Sequence, residues 1–196
     1  MHPTRPATLA DRAAIVRTLA LAFANDPALS YVFPDPATRP TKLRRFFDLI
    51  VRSEPDPALT TLVDDGGAVA VWRAPGAWRT PIRTMLRFAV PLITTFGTAL
   101  PRTLRLQALL ERHHPTEPHW YLEFVGCDPA LQGTGRGGAA IRAGLARADA
   151  AGMPCALEAA VESNVSLYRA LGFEVTGEFR VADGPWFREM WRLART

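Results

Sequence analysis

The sequence predicts a mixed α/β chain of the α+β type, in which antiparallel hairpins surround one strand–helix–strand crossover. Three observations carry this. Apolar strands flank the hairpin signal Asp64-Asp65-Gly66-Gly67, a strand–helix–strand order runs from His119 to Ala159, and two further strands close around Asp183-Gly184-Pro185.

The elements follow in order. Pro6 to Leu9 reads as a short strand, and Asp11 as the N-cap of a helix carrying Ile15, Leu19, Ala22 and Phe23 at helical spacing. Asn25-Asp26-Pro27 ends that helix, because proline keeps the residue before it out of the α region. An aromatic loop with Tyr31 and Phe33 is expected next, then a helix from Thr41 to Ser53 through Leu43, Phe46, Phe47 and Ile50. Leu59–Val63 and Ala68–Trp72 are the hairpin strands. Pro81 to His114 has helical spacing with expected breaks at Pro91 and Pro101. His119–Cys127 reads as a strand, Gly135–Ala151 as a helix with Ile141 and Leu145 on one face, and Cys155–Ala159 as a strand. A short helix, Asn164–Leu171, stops at Gly172, and the strands Glu174–Arg180 and Trp186–Leu193 end the chain. There is no internal repeat and no flexible linker, so residues 1–196 are expected to form one domain with a helical insertion over about 76–118.

Composition narrows the function classes. The formal net charge of +4 is carried almost wholly by arginine, Lys42 being the only lysine, and no arginine run exceeds Arg44-Arg45. A nucleic-acid surface gathers its cations on one face or helix, so no nucleic-acid partner is expected. Cys127 and Cys155 lie in predicted strands, lack metal-ligand spacing, and are too few for a disulfide framework; no metal is expected. The start MHPTRPATLADR has no apolar h-region. The most apolar run, Met85–Leu100, is interrupted by Arg87, Pro91 and Gly97, short of the roughly 20 apolar residues that span a bilayer. A soluble, cytoplasmic protein without a membrane partner is the expectation.

The stretch from Val125 to Gly138, VGCDPALQGTGRGG, joins a strand to a helix start. Its glycines let backbone approach a ligand closely, and the free N–H groups of the turn and first helical residues converge where the helix dipole favours an anion. A diphosphate is the natural guest. The P-loop reading fails, since Gly137 is followed by Gly138-Ala139 rather than Lys-Ser/Thr. Gln-x-x-Gly-x-Gly also departs from the dinucleotide fingerprint, although Gly133-x-Gly135-x-Gly137 comes near it. Glycines alone leave open a turn that merely packs a helix on a strand.

With its flanks, the stretch resembles the GNAT superfamily of N-acetyltransferases. Gln132, Gly135 and Gly137 match the family's Gln/Arg-x-x-Gly-x-Gly/Ala signature, and Val125 and Pro129 its preceding Val-x-x-x-Pro. Asn164, Tyr168, Gly172 and Phe173 match a second block, Asn-x-x-x-Tyr-x-x-x-Gly-Phe. Leu157-Glu158, the second block and Gly184-Pro185 look most like the puromycin N-acetyltransferase group, as do Ala22–Pro27 and Phe33-Pro34-Asp35 near the amino end. Residues 76–118 match nothing.

The resemblance implies a mostly antiparallel sheet of six to seven strands flanked by helices, with strands 4 and 5 splayed around acetyl-CoA. It implies direct attack of a primary amine on the thioester, in a ternary complex, and a homodimer. The acceptor is expected to be a small molecule. Acetylation of a protein lysine or N-terminus, or acyl-CoA sensing without catalysis, are the alternatives. Coenzyme A contacts are expected from Val125, Gly126, Cys127, Gln132, Gly133, Thr134, Gly135, Arg136, Gly137, Gly138, Asn164 and Tyr168, with Asn164 also a candidate N-cap. Backbone at Val125 and Cys127 would polarise the carbonyl, and the family implies no acetyl-cysteine. Tyr168 is the candidate acid for the leaving thiolate. Glu123, alternating on one strand face with Tyr121 and Val125, and Glu158 on the next strand are the candidate bases. His119 is expected at an exposed strand start. By family analogy Phe23, Asn25, Asp26, Tyr31 and Phe33 would line the acceptor site.

Overall fold

A computed structural model of the chain describes residues 2–79 and 81–195. One twisted sheet holds seven strands in the order β1-β2-β3-β4-β5-β7-β6: β1 Thr4–Pro6, β2 Thr60–Val63, β3 Ala68–Arg73, β4 Trp120–Cys127, β5 Cys155–Ala159, β6 Glu174–Arg180 and β7 Trp186–Arg192. Among the described residues β4–β5 is the one parallel pair, as its helical crossover requires. The other pairs are antiparallel.

The helices are α1 Arg12–Ala22, α2 Pro27–Val32, α3 Arg39–Ser53, α4 Ile82–Arg87, α5 Ala89–Phe96, α6 Leu100–His113, α7 Arg136–Ala150 and α8 Glu162–Ala170. Strand alternation sorts them into two layers. Val69 and Val71 face Leu19 of α1, Phe47 of α3, Phe96 of α5 and Leu106 of α6, whereas Ala68, Ala70 and Trp72 face Ile141 and Leu145 of α7 and Val165 of α8. Trp72 is fully buried against α7, and an added Cβ at Gly144 would stand 2.1 Å from its Nε1. Only glycine admits the indole there.

Local chemistry moved several expected boundaries. β1 is Thr4–Pro6 rather than Pro6–Leu9, because Leu9–Asp11 forms a 3₁₀ turn in which Asp11 accepts the Thr8 N–H at 2.8 Å. The aromatic loop is helix α2: Pro27 occupies its first turn and the Asp26 carboxylate accepts the Leu29 N–H at 2.9 Å. Asp-Pro therefore ends one helix and caps the next. In the insertion neither proline breaks a helix. Pro91 and Pro101 lie in the first turns of α5 and α6, where no N–H partner is lost, and the breaks fall at Phe88 and Gly97. α8 begins at Glu162, so Asn164 is inside its first turn and the cap position is Val161. No helix among the described residues is long and apolar enough to cross a membrane.

Candidate active site

β4 and β5 separate after a short common start. Trp120 pairs with Cys155 and Tyr121 with Ala156; beyond them β4 runs on to Cys127 and β5 to Ala159 without pairing each other. A V-shaped opening results, with unpaired β4 backbone along one side. Its outer arm leads to the glycine loop.

At that loop Gly133 (φ +76°) and Gly135 (φ +84°) adopt left-handed backbone, and Gly135 is the N-cap of α7. A Cβ added at Gly133, Gly135 or Gly137 would meet no atom within 4 Å. These glycines face open space, as a cradle requires, whereas other glycines nearby have packing duties. At Gly126 a Cβ would come within 2.9 Å of Ala22 Cβ, so that residue lets α1 lie on β4. Gly138 is buried and packs under Arg142. Arg136 is held by Asp64 (2.6 Å) and by Thr134 Oγ1 (2.8 Å), which braces the loop against the β2–β3 turn. Gln132 is exposed at the mouth. The open glycines and free helix N-terminus suit the diphosphate of coenzyme A.

A cavity of about 270 Å³ passes through the opening and joins the two layers. Asn164 and Tyr168 line it from α8, Leu122 to Val125 from β4, Leu157 to Ala160 from the β5 side, Phe23 and Asp26 from the amino-terminal helices. Most of its roof comes from the insertion: Trp78, Phe96, Thr103, Leu106, Gln107, Leu110 and His114. Asn25, Tyr31 and Phe33 are not among its lining residues. Phe33 lies behind the wall, stacked on Phe96 at 5.6 Å between centroids, and Tyr31 packs beside Gly184.

Two carboxylates have different surroundings. Glu123 is the extra residue of a β-bulge, since Phe124 pairs with Val71 and Leu122 with Trp72. The bulge breaks simple alternation: Phe124 joins the α1–α3 layer and Val125 the α7 layer, so Glu123 and Val125 do not share a regular face. The Glu123 carboxylate receives Arg73 Nε at 2.6 Å, and Arg73 also binds Glu54. Burial raises the Glu123 pKa against the lowering pull of Arg73. Glu158 receives the Tyr121 hydroxyl at 2.7 Å and lies 3.3 Å from His114 Nδ1. His114 stacks on Trp78 and its Nε2 lies 3.0 Å from His119 Nε2. His119, expected exposed, is buried at 3% because the end of α6 covers it, and its Nδ1 reaches the Glu117 carbonyl at 2.6 Å.

Tyr168 has no hydrogen-bond partner among the described residues, and its ring packs edge-on to Phe173. Burial pushes its phenol above the usual range and the Asp26 charge adds to this, so the hydroxyl stays protonated at neutral pH. Burial also raises the Cys127 thiol and pushes Cys155 up to about 12, which suits neither for nucleophilic attack.

Comparison with known proteins places this arrangement. Residues 96–173 match the family model described as Acetyltransferase (GNAT) family. A Corynebacterium glutamicum protein, described as histone acetyltransferase HPA2 and related acetyltransferase, is 31% identical over 100% of this chain and 97% of its own, with a TM-score of 0.74. The chain belongs to the GNAT family of acetyltransferases. Its fold is the GNAT fold, and it is an enzyme of that type. More distant structures share the fold. The Drosophila melanogaster polyamine N-acetyltransferase (15% identity, 98% of this chain and 100% of that one) has a TM-score of 0.65. The Aedes aegypti arylalkylamine N-acetyltransferase 2 (13% identity, 99% of each) has one of 0.59.

The residues that the sequence did not single out are those of the insertion, above all His114 and Trp78, and the Arg73–Glu54 pair behind Glu123. Asp-Pro at 26–27 was a readable signal for α2. For His114 the sequence offers only a histidine pair at the end of a helical stretch.

Proposed function

We propose that this GNAT enzyme acetylates the primary amine of a small molecule with an apolar body, by direct attack while both substrates are bound. The observation that carries the proposal is the cavity through the strand opening. It has Tyr168 and Asn164 on the α8 side, an apolar chamber roofed by α5 and α6 on the other, and Glu158 between. Residues 1–196 act as one catalytic domain, with the insertion as roof.

Acetyl-CoA supplies the activated acetyl thioester. The loop from Gln132 to Gly138 receives its diphosphate on backbone N–H groups, and Arg136 stiffens the loop through Asp64. Unpaired backbone at Val125 and Cys127, with Gly126 holding α1 close, aligns the acyl end, and Asn164 lines the same channel. Tyr168 Oη holds a proton in the channel for the leaving sulfur. Glu158 accepts the proton of the incoming amine. Glu123 is committed to Arg73 and fixes the bulge. Phe23 and Asp26 lie where the amine enters, and Phe33 supports that wall from behind through Phe96.

The names of the polyamine and arylalkylamine acetyltransferases support a small amine, and the apolar roof favours an aromatic or aliphatic amine over a polyamine. The likeness to the puromycin group adds aminonucleosides. The 31% relative, with histone acetyltransferase in its description, supports protein lysine as a second reading. CoA release with arylalkylamines, aminonucleosides, polyamines and lysine peptides tests the proposal. Turnover of an apolar amine at the highest kcat/KM is expected. Release with peptides alone would transfer the assignment to protein lysine, and tight acetyl-CoA binding without release for any amine would make the chain a sensor.

A further inference from the structure

We infer that His114 and Glu158 act as one proton acceptor, in which Glu158 touches the amine and His114 stores the proton. The inference rests on the acetyltransferase reading above, but it starts from hydrogen-bond bookkeeping in the free protein. His119 Nδ1 lies 2.6 Å from the Glu117 carbonyl oxygen, which can only accept, so the proton is on Nδ1. Burial lowers the pKa of His119 and keeps its ring neutral, so its Nε2 is a bare lone pair. His114 Nε2, 3.0 Å away, must then donate to it. This fixes the tautomer of neutral His114: its Nδ1 is bare, and it faces Glu158 Oε1 at 3.3 Å.

Two lone pairs thus oppose each other inside a buried site, with side-chain exposures of 2% for His114 and 4% for Glu158. The other Glu158 oxygen receives the Tyr121 hydroxyl. The contact is satisfied only when a proton lies between His114 Nδ1 and Glu158 Oε1. With that proton absent, the Glu158 carboxylate and the His114 lone pair face each other at 3.3 Å with nothing between them to share. An ammonium entering the cavity supplies it: one amine N–H bond breaks, its electron pair stays on nitrogen for attack, and the proton passes to Glu158 Oε1 and is shared with His114 Nδ1. The charge balances, because the ammonium becomes neutral as the pair gains one positive charge.

The surroundings hold the pair in place. Trp78 stacks on the His114 ring at 3.8 Å between centroids, and α6 delivers His114 at its C-cap, so the insertion supplies a catalytic positioning group as well as a roof. Two neighbouring carboxylates are already matched. Glu123 is bound by Arg73, which also holds Glu54. Glu189, opposite Glu158 in the β5–β7 register, is bound by His113 Nδ1 at 2.8 Å.

Two measurements test the pair. In ¹⁵N histidine NMR of the free full-length enzyme, His114 should appear as imidazolium at acid pH, losing its Nδ1 proton on titration, and Glu158→Gln should move that titration to lower pH. His119 should stay an Nδ1–H tautomer throughout. A His114 neutral across pH 5–9, or a titration indifferent to Glu158→Gln, overturns the inference whether or not an amine substrate is known. With the best amine of the panel, His114→Gln should lower kcat/KM about 10²-fold at its optimum. It should also move the ascending limb of the pH profile, since the facing His114 nitrogen is then gone from Glu158 Oε1. A merely structural role would lower the rate and leave the limb in place, and that result refutes the pairing.

Discussion

The two ends of the proposed substrate channel are built on different physical terms. At the coenzyme end, the α7 N-terminus and the loop before it present backbone. Gly133 and Gly135 hold left-handed φ, and a Cβ on either would project into open space. In the proposed function, recognition there depends on which residues lack a side chain, at fixed spacing from a helix start. At the acceptor end, Phe96, Leu106 and Leu110 of the insertion form a wall whose only demands are apolar character and suitable size. One end is fixed by backbone at Gly133 and Gly135, whereas the other is fixed by the size of apolar side chains. The comparison predicts that coenzyme affinity and amine selectivity are separable by mutation.

The largest effect is expected at the cradle. Gln132→Ala combined with Gly135→Asp places a Cβ at φ +84° and a carboxylate beside the helix start, so acetyl-CoA affinity should fall at least about 10²-fold from strain and charge together. Isothermal titration would show it, with the melting temperature as a check on folding. Unchanged affinity would place the coenzyme elsewhere and dissolve the comparison.

Next comes the junction of the two ends. Tyr168→Phe removes only the hydroxyl of a ring whose packing against Phe173 is kept. Turnover should drop roughly 10²-fold while the acetyl-CoA Kd stays the same. Full activity in this variant would reassign the acid, and a parallel loss of affinity would make Tyr168 part of the cradle instead.

The same contrast explains what could be read from the chain. The strands, the β4–α7–β5 crossover and the Gln132–Gly137 loop were legible because period-two alternation and glycine spacing are local signals. The shared place of Tyr168 and Asn164 on the cavity wall was legible too, through their spacing from each other and from Gly172. The bulge at Glu123 was not. It depends on the register against Val71 and Trp72, a long-range fact, and it removed the simple alternation that grouped Glu123 with Val125. His119 was misplaced for a similar reason: its burial comes from the end of α6, which no local pattern positions. The insertion was readable as helix, but its stripe alone could not choose between core and roof, since an apolar helical face looks the same over a core as over a substrate.

At the acceptor end, Leu110→Ala should enlarge the chamber. The ratio of kcat/KM for a bulky amine over a small one should shift by about 10-fold toward the bulky one, the usual worth of a few methylenes in a pocket. Acetyl-CoA affinity should not move. If it fell in step with selectivity, roof and cradle would be coupled and the separation of the two ends would fail.

The smallest effect is expected at the far end of α7, about 20 Å from the cradle along a 15-residue helix. There Asp149 accepts Arg192 through both oxygens at 2.7 and 2.8 Å, and the Arg195 N–H at 2.8 Å, tying α7 to β7. The Arg192 hydrogen bond lowers the Asp149 pKa in the folded chain below its unfolded value. The stabilisation is therefore present above the unfolded carboxylate value near 4 and is lost as pH falls through the lower folded value. Asp149→Asn should cost about 1 kcal/mol at pH 7, between the worth of exposed and buried charged pairs. Denaturant titrations should show that gap closing as pH falls below about 4. A gap that stays constant into strong acid would mean that packing, not charge, sets the cost. A loss of acetyl-CoA affinity at neutral pH would show that the glycine loop depends on how the opposite end of its helix is anchored.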